Sequence, residues 1–332
     1  MTKHLAPPNG EPAIATVPQD DTVEMRLTGI MFGATRTNLF ELRPLHDAHV
    51  PEFTAGAHVD IYLPNGTIRQ YSIASSTSDR ARYLLGVKLE TNGRGGSRCM
   101  HDELRVGQVL RIGLPRNNFP LAEDAAHSIF IAGGIGITPI KCMIDRLQAL
   151  GRSFRLHYAV REREEALFAA ELAGDRMHLH VDAENAGNVL DVGAIIASAP
   201  ADAQLYCCGP APMLAAFEQA CAGRSAKFVH LERFSAPDNA AATGGSYTVE
   251  LARSKRAISV APDQTLLEAL RAAGITIKTS CQQGICGTCE TRVLSGTPDH
   301  RDMILSDDEK AANDTMMVCC SGSLGPTLVL DL

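Results

Sequence analysis

The stretch CQQGICGTC, Cys281 to Cys289, constrains this chain more than any other, because it packs three thiols at Cys-x4-Cys-x2-Cys spacing into nine residues. With a fourth thiol from a distant segment, that spacing is the ligand pattern of a [2Fe–2S] cluster, in which four thiolates hold two irons. A loop this tight must curl around inorganic sulfide, and Gly284 and Gly287 supply the turns and close backbone approach. The competing readings are a structural zinc site or a disulfide with a spare thiol. Zinc ligands usually come as two short Cys or His knuckles, whereas here one side is a nonapeptide and the other the bare dipeptide Cys319-Cys320. TMMVCCSGS reads as a short apolar strand ending in that pair, and strand neighbours point to opposite faces. Only one of the two thiols can then aim at the cluster, and the spacing leaves open which.

A chain of 332 residues exceeds one ordinary core and implies two or three domains. Its composition, 45% hydrophobic and 21% charged, is that of a globular protein. A net charge of −7 without a Lys/Arg run argues against nucleic acid as partner. No segment reaches the roughly 18 continuous apolar residues of a membrane span, and the N-terminus lacks the pattern of a signal peptide. Ten cysteines without an export signal point to a reducing cytoplasm and to metal or redox chemistry.

Residues 1–20, rich in Pro, Ala and polar side chains, read as a loose arm. From 21 to 122 the pattern is one of short alternating strands, VEMRLTGIMF, NLFELRPL, HVDIYLP, TIRQYSIAS, YLLGVKL and VLRIGLP, with an Asn65-Gly66 hairpin turn. This predicts an antiparallel β-barrel. Between 123 and 234 strands alternate with helices: SIFIAGG, the amphipathic ITPIKCMIDRLQALG closed by Gly151, FRLHYAV, HLHVDA, AQLYCCG, the helix APMLAAFEQAC and KFVHLERF. That alternation predicts an α/β doubly wound parallel sheet. Residues 235–246, SAPDNAAATGGS, read as a linker. The remainder, 247–332, opens with a hairpin and a short helix from Thr265 to Ala273 before the cysteine loop.

Two upstream constellations bear on chemistry. On the strand carrying Arg69-Gln70-Tyr71-Ser72, alternation puts Arg69 and Tyr71 on one face, so a phosphate-binding guanidinium and a stacking ring project together. Taken alone, both are better read as an ordinary rim aromatic and a solvated charge. The glycine turn Asn92-Gly93-Arg94-Gly95-Gly96-Ser97 alters that balance, since it precedes a helix whose first amides suit an anion. Together they describe a flavin phosphate site. In the second domain, Gly133-Gly134-Ile135-Gly136 joins a buried strand to a helix begun by Pro139, leaving room for a diphosphate. It is short of a full GxGxxG. Cys207-Cys208-Gly209-Pro210 forms a second strand-end glycine turn, and both turns can face one dinucleotide at the carboxyl ends of the strands. His157, Cys99, Cys142, Cys207 and Cys221 read as structural.

The order RQYS, NGRGGS, AGGIGITP, YCCGPAPM, HLERF and CQQGICGTC with its distant fourth thiol resembles the phthalate dioxygenase reductase family, within the wider ferredoxin–NADP reductase superfamily. The resemblance runs from about Val23 to Leu332. It implies a flavin-binding barrel, an NADH-binding domain and an α+β, β-grasp plant-type ferredoxin domain in one chain. Among the cluster ligands it favours Cys281, Cys286, Cys289 and Cys319, with Cys320 filling a small apolar slot. By the family pattern Arg69, Tyr71, Ser72, Val87, Lys88, Gly95, Gly96, Ser97 and Arg98 hold the flavin, Thr138 lies near its ring, and Phe234 closes over it. The short NGRGGS turn looks like that of FMN-type members, so FMN is expected rather than FAD. Gly133, Gly134, Gly136, Cys208, Gly209, Pro210 and Met213 are implied to line the dinucleotide. Asp182, placed to bind a ribose 2′-hydroxyl, favours NADH, although Arg161 at the end of HYAVR could serve a phosphate.

The function so implied is an NADH-dependent reductase, a cytoplasmic monomer carrying electrons through FMN and a [2Fe–2S] cluster to a Rieske-type aromatic-ring dioxygenase or demethylase. No general acid or base is demanded of the protein, whose task is orientation and tuning. The rival readings are a reductase for a non-haem monooxygenase or cytochrome P450, and an electron carrier whose nucleotide domain is regulatory.

Overall fold

Alternation of buried and exposed side chains decides the first third of the chain. In the computed structural model, which describes residues 21–235 and 245–332, six strands form one antiparallel sheet in the order β4-β3-β6-β1-β2-β5. They are β1 (Thr22–Ala34), β2 (Thr37–Pro44), β3 (His58–Tyr62), β4 (Ile68–Ser72), β5 (Tyr83–Lys88) and β6 (Val109–Gly113). A bridge between Ile73 and Leu85 joins the two edge strands, so the sheet closes on itself as a barrel. Met25, Leu27, Phe40, Leu42, Val59, Ile61, Leu85 and Ile112 fill it. Helix α1 (Gly96–Asp102) follows β5 and packs Cys99 and Met100 onto the same core. The expected N-terminal arm lies outside the described residues, as do 236–244 of the expected linker.

Past the barrel the strands change character. β7 (His127–Gly133) is buried from Ser128 onward, as a parallel strand covered on both faces must be. It sits at the centre of a five-stranded parallel sheet, β11-β10-β7-β8-β9, with β8 (Ser153–Val160), β9 (Met177–Val181), β10 (Gln204–Cys208) and β11 (Val229–Glu232). Helix α2 (Ile137–Ala149) covers one face together with the short α3 (Ala169–Leu172), and α4 (Val192–Ser198) and α5 (Ala211–Cys221) cover the other. The chain leaves β7 toward β8 on one side and returns to β10 on the other, so the strand order reverses between β7 and β10, and this switch point is where a doubly wound sheet offers its crevice.

The third sheet is mixed, in the order β13-β12-β18-β14-β16. The hairpin of β12 (Tyr247–Leu251) and β13 (Arg256–Val260) leads into α6 (Leu266–Ala272), whose start is fixed by reciprocal hydrogen bonds between Thr265 and Glu268. β14 (Glu290–Ser295) follows the cysteine loop, a small ladder pairs β15 (Pro298–Asp299) with β17 (Gly322–Ser323), and α7 (Asp307–Ala312) precedes β16 (Thr315–Met317). β18 (Thr327–Leu330) runs parallel to β12 between it and β14. One expectation is corrected here. Val318, Cys319 and Cys320 do not continue the strand; they form a turn in which the Cys320 and Ser321 amides both donate to the Met317 carbonyl. Strand alternation therefore does not decide between the two thiols. Among the described residues, no helix is long and apolar enough to cross a membrane.

Candidate functional site

The cysteine loop departs from ordinary backbone at the positions its thiols require. Gln282, Gly284 and Gly287 all have positive φ, which a residue with a Cβ adopts only at a cost. At Gly284 a side chain is also barred sterically, since a Cβ would stand 2.5 Å from the Cys320 sulfur. The loop thus wraps its sulfurs inward. Cys281, Cys286, Cys289, Cys319 and Cys320 are all buried. The Cys281 thiol lies beside those of Cys286 and Cys319, and the Cys319 thiol beside those of Cys289 and Cys320. The Gln283 amide donates to the Cys281 sulfur at 3.3 Å. The thiol of Cys281 beside it, together with burial, pushes the Cys286 thiol well up. Cys320 differs in facing the Met317 carbonyl and the Ser321 hydroxyl. Among the described residues no three or more His, Cys, Asp or Glu side chains are grouped around a single ion; a two-iron centre divides four thiolates into two pairs. The donor set, all sulfur and held by two segments, fits such a cluster.

The barrel grips this loop from three directions. Arg94 donates through Nη1 to the Cys281 carbonyl at 3.1 Å and through Nη2 to Gln283 Oε1 at 3.0 Å. Asn118 donates to the Cys286 carbonyl at 3.3 Å. The Ser280 hydroxyl donates to Asp60 at 2.6 Å, and Asp60, only 3% exposed, is paired with Arg116 at 2.8 Å. A further ion pair joins Lys278 to Asp21. These bonds bring residues from opposite ends of the chain together, and no motif announces them.

The RQYS strand is split by its own pleat. Arg69 and Tyr71 face α1: the Arg69 side chain lies against Gly96, where a Cβ would come within 2.4 Å, and donates to the Arg94 carbonyl at 2.7 Å. Tyr71 lies between Arg69 and Cys99, and burial raises its phenol. Gly95, at φ 82 with open space around it, leaves the start of α1 bare, and Ser97 accepts from the Glu90 amide. Ser72 and Gln70 face the other way, into a crevice shared with His58, Asn118, Glu232, Phe234, Ile285 and Met303. The Ser72 hydroxyl is buried with no partner among the described residues, and Gln70 meets His58. Burial, reinforced by Arg116, pushes His58 down to about 4, so it is neutral. An unsatisfied hydroxyl on one side and an open glycine turn beside a guanidinium on the other fit a flavin whose ring and phosphate occupy the two. Val87 and Lys88 end β5 next to this site, but Lys88 is engaged by Glu165 of the parallel-sheet unit at 3.3 Å. Thr138 approaches β5 as well: a Cβ on Gly86 would meet its methyl at 2.7 Å. Arg98 is exposed and, among the described residues, donates to the Thr91 carbonyl alone.

At the switch point the two glycine turns interlock. A Cβ on Gly133 would strike Pro210 at 2.5 Å and the Met213 sulfur at 2.9 Å, one on Gly136 would strike the Cys208 carbonyl at 2.1 Å, and one on Gly209 would strike Met213 at 2.7 Å. Gly134, at φ 52, has open space above it. The interlocked turns, with Pro210 and Met213 packed against them and Gly134 open above, form a cradle fit for a diphosphate. Arg161 and Asp182 meet at the ends of β8 and β9, where the Ala183 amide donates to the Arg161 carbonyl; Asp182 is also 3.5 Å from His180. Phe234, 44% exposed, stands beside the crevice. Missed by motif reading is Glu232, two residues before it. Its Oε2 is buried in the same crevice without a partner among the described residues, and burial raises its carboxyl to about 8. The one signal was an acidic residue inside the apolar strand HLERF.

Residues 249–322 match the 2Fe-2S iron-sulfur cluster binding domain family, and residues 25–120 the oxidoreductase FAD-binding domain family. The chain is 51% identical over 313 residues to the phenoxybenzoate dioxygenase subunit beta of Ectopseudomonas oleovorans, covering 93% of this chain and 97% of that one. Among solved structures it is similar to phthalate dioxygenase reductase, described as a modular structure for electron transfer from pyridine nucleotides to [2Fe–2S], at 36% identity and a TM-score of 0.72, over 95% of this chain and 99% of that one. It is similar also to an intact type IV self-sufficient cytochrome P450 monooxygenase, at 37% identity and a TM-score of 0.83, covering 94% of this chain and 41% of that longer one.

Proposed function

The chain belongs to the phthalate dioxygenase reductase family, and on that premise we propose that it is the NADH-dependent reductase component of an oxygenase system, a cytoplasmic monomer serving a Rieske-type dioxygenase or demethylase. When bound, FMN supplies the conversion of a two-electron hydride donor to one-electron transfers, and the [2Fe–2S] cluster supplies the one-electron outlet. Cys281, Cys286, Cys289 and Cys319 are the thiolates proposed to hold the irons, with Cys320 packed beneath Gly284. Arg69 and the bare turn at Gly95 to Ser97 hold the flavin phosphate, and Ser72 offers its hydroxyl to the ring. The interlocked glycines at Gly133, Gly136 and Gly209 seat the dinucleotide diphosphate. Asp182 selects the unphosphorylated ribose over Arg161, because its carboxylate repels a 2′-phosphate. Glu232 and Phe234 close the crevice where nicotinamide and flavin meet; a neutral carboxyl there donates a hydrogen bond without adding charge.

The observation that carries this function is the junction itself. The cysteine loop is hydrogen-bonded to Arg94 of the flavin turn, and Ile285 of that loop shares one crevice with Ser72 and Glu232. The outlet is thereby set against the inlet. Purified protein is expected to carry one flavin and, per cluster, two irons and two labile sulfides, with chromatography of the released flavin showing FMN. NADH alone bleaches both chromophores. A colourless, zinc-containing protein overturns the proposal. The match to a reductase fused to a P450 favours one second reading, a haem acceptor, which reconstitution with each class of oxygenase separates from the first.

A further inference from the structure

Gln282 sits between two cluster ligands in the left-handed region at φ 55, although it is not a glycine. Such a residue stays there only where its surroundings hold it. What holds it is Arg94, whose two nitrogens reach past it on either side, Nη1 to the carbonyl of Cys281 and Nη2 to the side chain of Gln283. The same residue's carbonyl accepts from Arg69, the guanidinium assigned to the flavin phosphate. One residue therefore touches the flavin turn with its backbone and the cluster loop with its side chain, across 187 positions of sequence.

We propose that Arg94 is a positioning residue for the transfer between flavin and cluster: it brackets the strained Gln282 and so fixes the Cys281 edge of the cluster loop against the flavin phosphate turn. This rests on the cluster and flavin assignments above. Arg94 is exposed apart from these contacts, and its side chain makes no hydrogen bond within its own turn among the described residues, so its side-chain bonds serve the other domain. Asp60 and Asn118 hold the loop at Ser280 and Cys286, but neither spans Gln282. Loss of Arg94 frees the strained segment of the cysteine loop at Gln282, while Arg69 keeps its acceptor because that is backbone.

The test compares Arg94→Ala, Arg94→Lys and Arg94→Ala combined with Gln282→Gly in the full chain. Iron and flavin content come first; if the unsubstituted protein has no cluster, the functional assignment fails, independently of Arg94. Amide exchange of residues 280–285 is expected to quicken about tenfold in Arg94→Ala, the effect of losing hydrogen bonds of this class. After mixing with NADH, cluster bleaching slows about tenfold while flavin bleaching stays within about twofold. Lysine keeps the charge but cannot reach both acceptors, and falls between. Glycine at 282 removes the strain, so the double variant recovers most of the cluster phase. If Arg94→Ala loads poorly, recovery of iron by the double variant supports the proposal in the same way, and failure to recover it counts against it. Unchanged exchange with an unchanged cluster phase, or equal slowing of both phases, overturns the proposal.

Discussion

Glu232 makes the stability of the nucleotide unit depend on pH in a way that one substitution removes. Its carboxyl is raised from an ordinary 4.5 to about 8 by burial alone. Part of the residue remains accessible, but Oε2 is buried with no partner among the described residues, so the titrating end is the dry end. Between those two values the folded chain keeps a proton that the unfolded chain has released. Stability from this group is therefore complete below about 4.5 and is lost as pH rises toward 8, at about 1.4 kcal/mol per pH unit. Taken over the full interval that is about 5 kcal/mol, which the residue's partial exposure reduces to roughly 2–4 kcal/mol. Glu232→Gln keeps the shape and hydrogen-bonding capacity without the titration. A chain of three units with cofactors is not two-state, so the assay is local: amide exchange of β10 and β11 in both proteins from pH 5.5 to 8.5. Comparison at each pH cancels the intrinsic rate. Protection of the unsubstituted protein relative to the variant should fall steadily up to about pH 8 and level off above it. A constant difference would refute a buried, proton-retaining Glu232.

Cys319→Ser should abolish the cluster, whereas Cys320→Ser should retain iron and the visible spectrum; the reverse pattern in iron analysis would exchange their roles. Gly136→Ala drives a Cβ to 2.1 Å from the Cys208 carbonyl, a contact between backbones that cannot give way. It should destabilise the chain by about 1–3 kcal/mol and raise the KM for NADH, read by thermal melting and steady-state kinetics. Asp60→Asn leaves Arg116, about one-third exposed, without its charge partner and weakens the acceptor of Ser280. A loss of about 2–4 kcal/mol is expected, visible as earlier release of the cysteine-loop unit in urea, and a shift under about 1 kcal/mol would count against this pair as an anchor.

Local pattern carries the strands far better than it carries the junction. The barrel strands show a period of two, and the parallel strands show unbroken apolar runs flanked by glycine, so both are legible in the sequence. Short helices are legible only in part: α6 is read from its sequence, but α4 and α7, at two turns or fewer, are too short to show a helical period, although Ser306 and Glu309 in reciprocal hydrogen bonds do mark the second. The turn at Cys319-Cys320 reads as strand because an apolar run looks the same in either. The grips on the cysteine loop are beyond local reading for a simpler reason. Arg94 and Asp60 find their partners 187 and 220 residues away, and only the closed barrel brings them within reach.

Among the described residues, every hydrogen bond from the ferredoxin unit to the rest of the chain ends on the barrel, at Asp21, Asp60, Arg94 or Asn118. The parallel-sheet unit meets the barrel through the Lys88–Glu165 ion pair, the hydrogen bond from the Thr35 amide to the Glu164 carbonyl, and an apolar core that joins Ala34, Ala55 and Ala74 to Phe130, Met143 and Leu167. For protein engineering this defines a cassette. Barrel and ferredoxin must be transplanted as a pair, and a nucleotide unit exchanged to alter coenzyme choice must keep the apolar side chains that complete its shared core with the barrel.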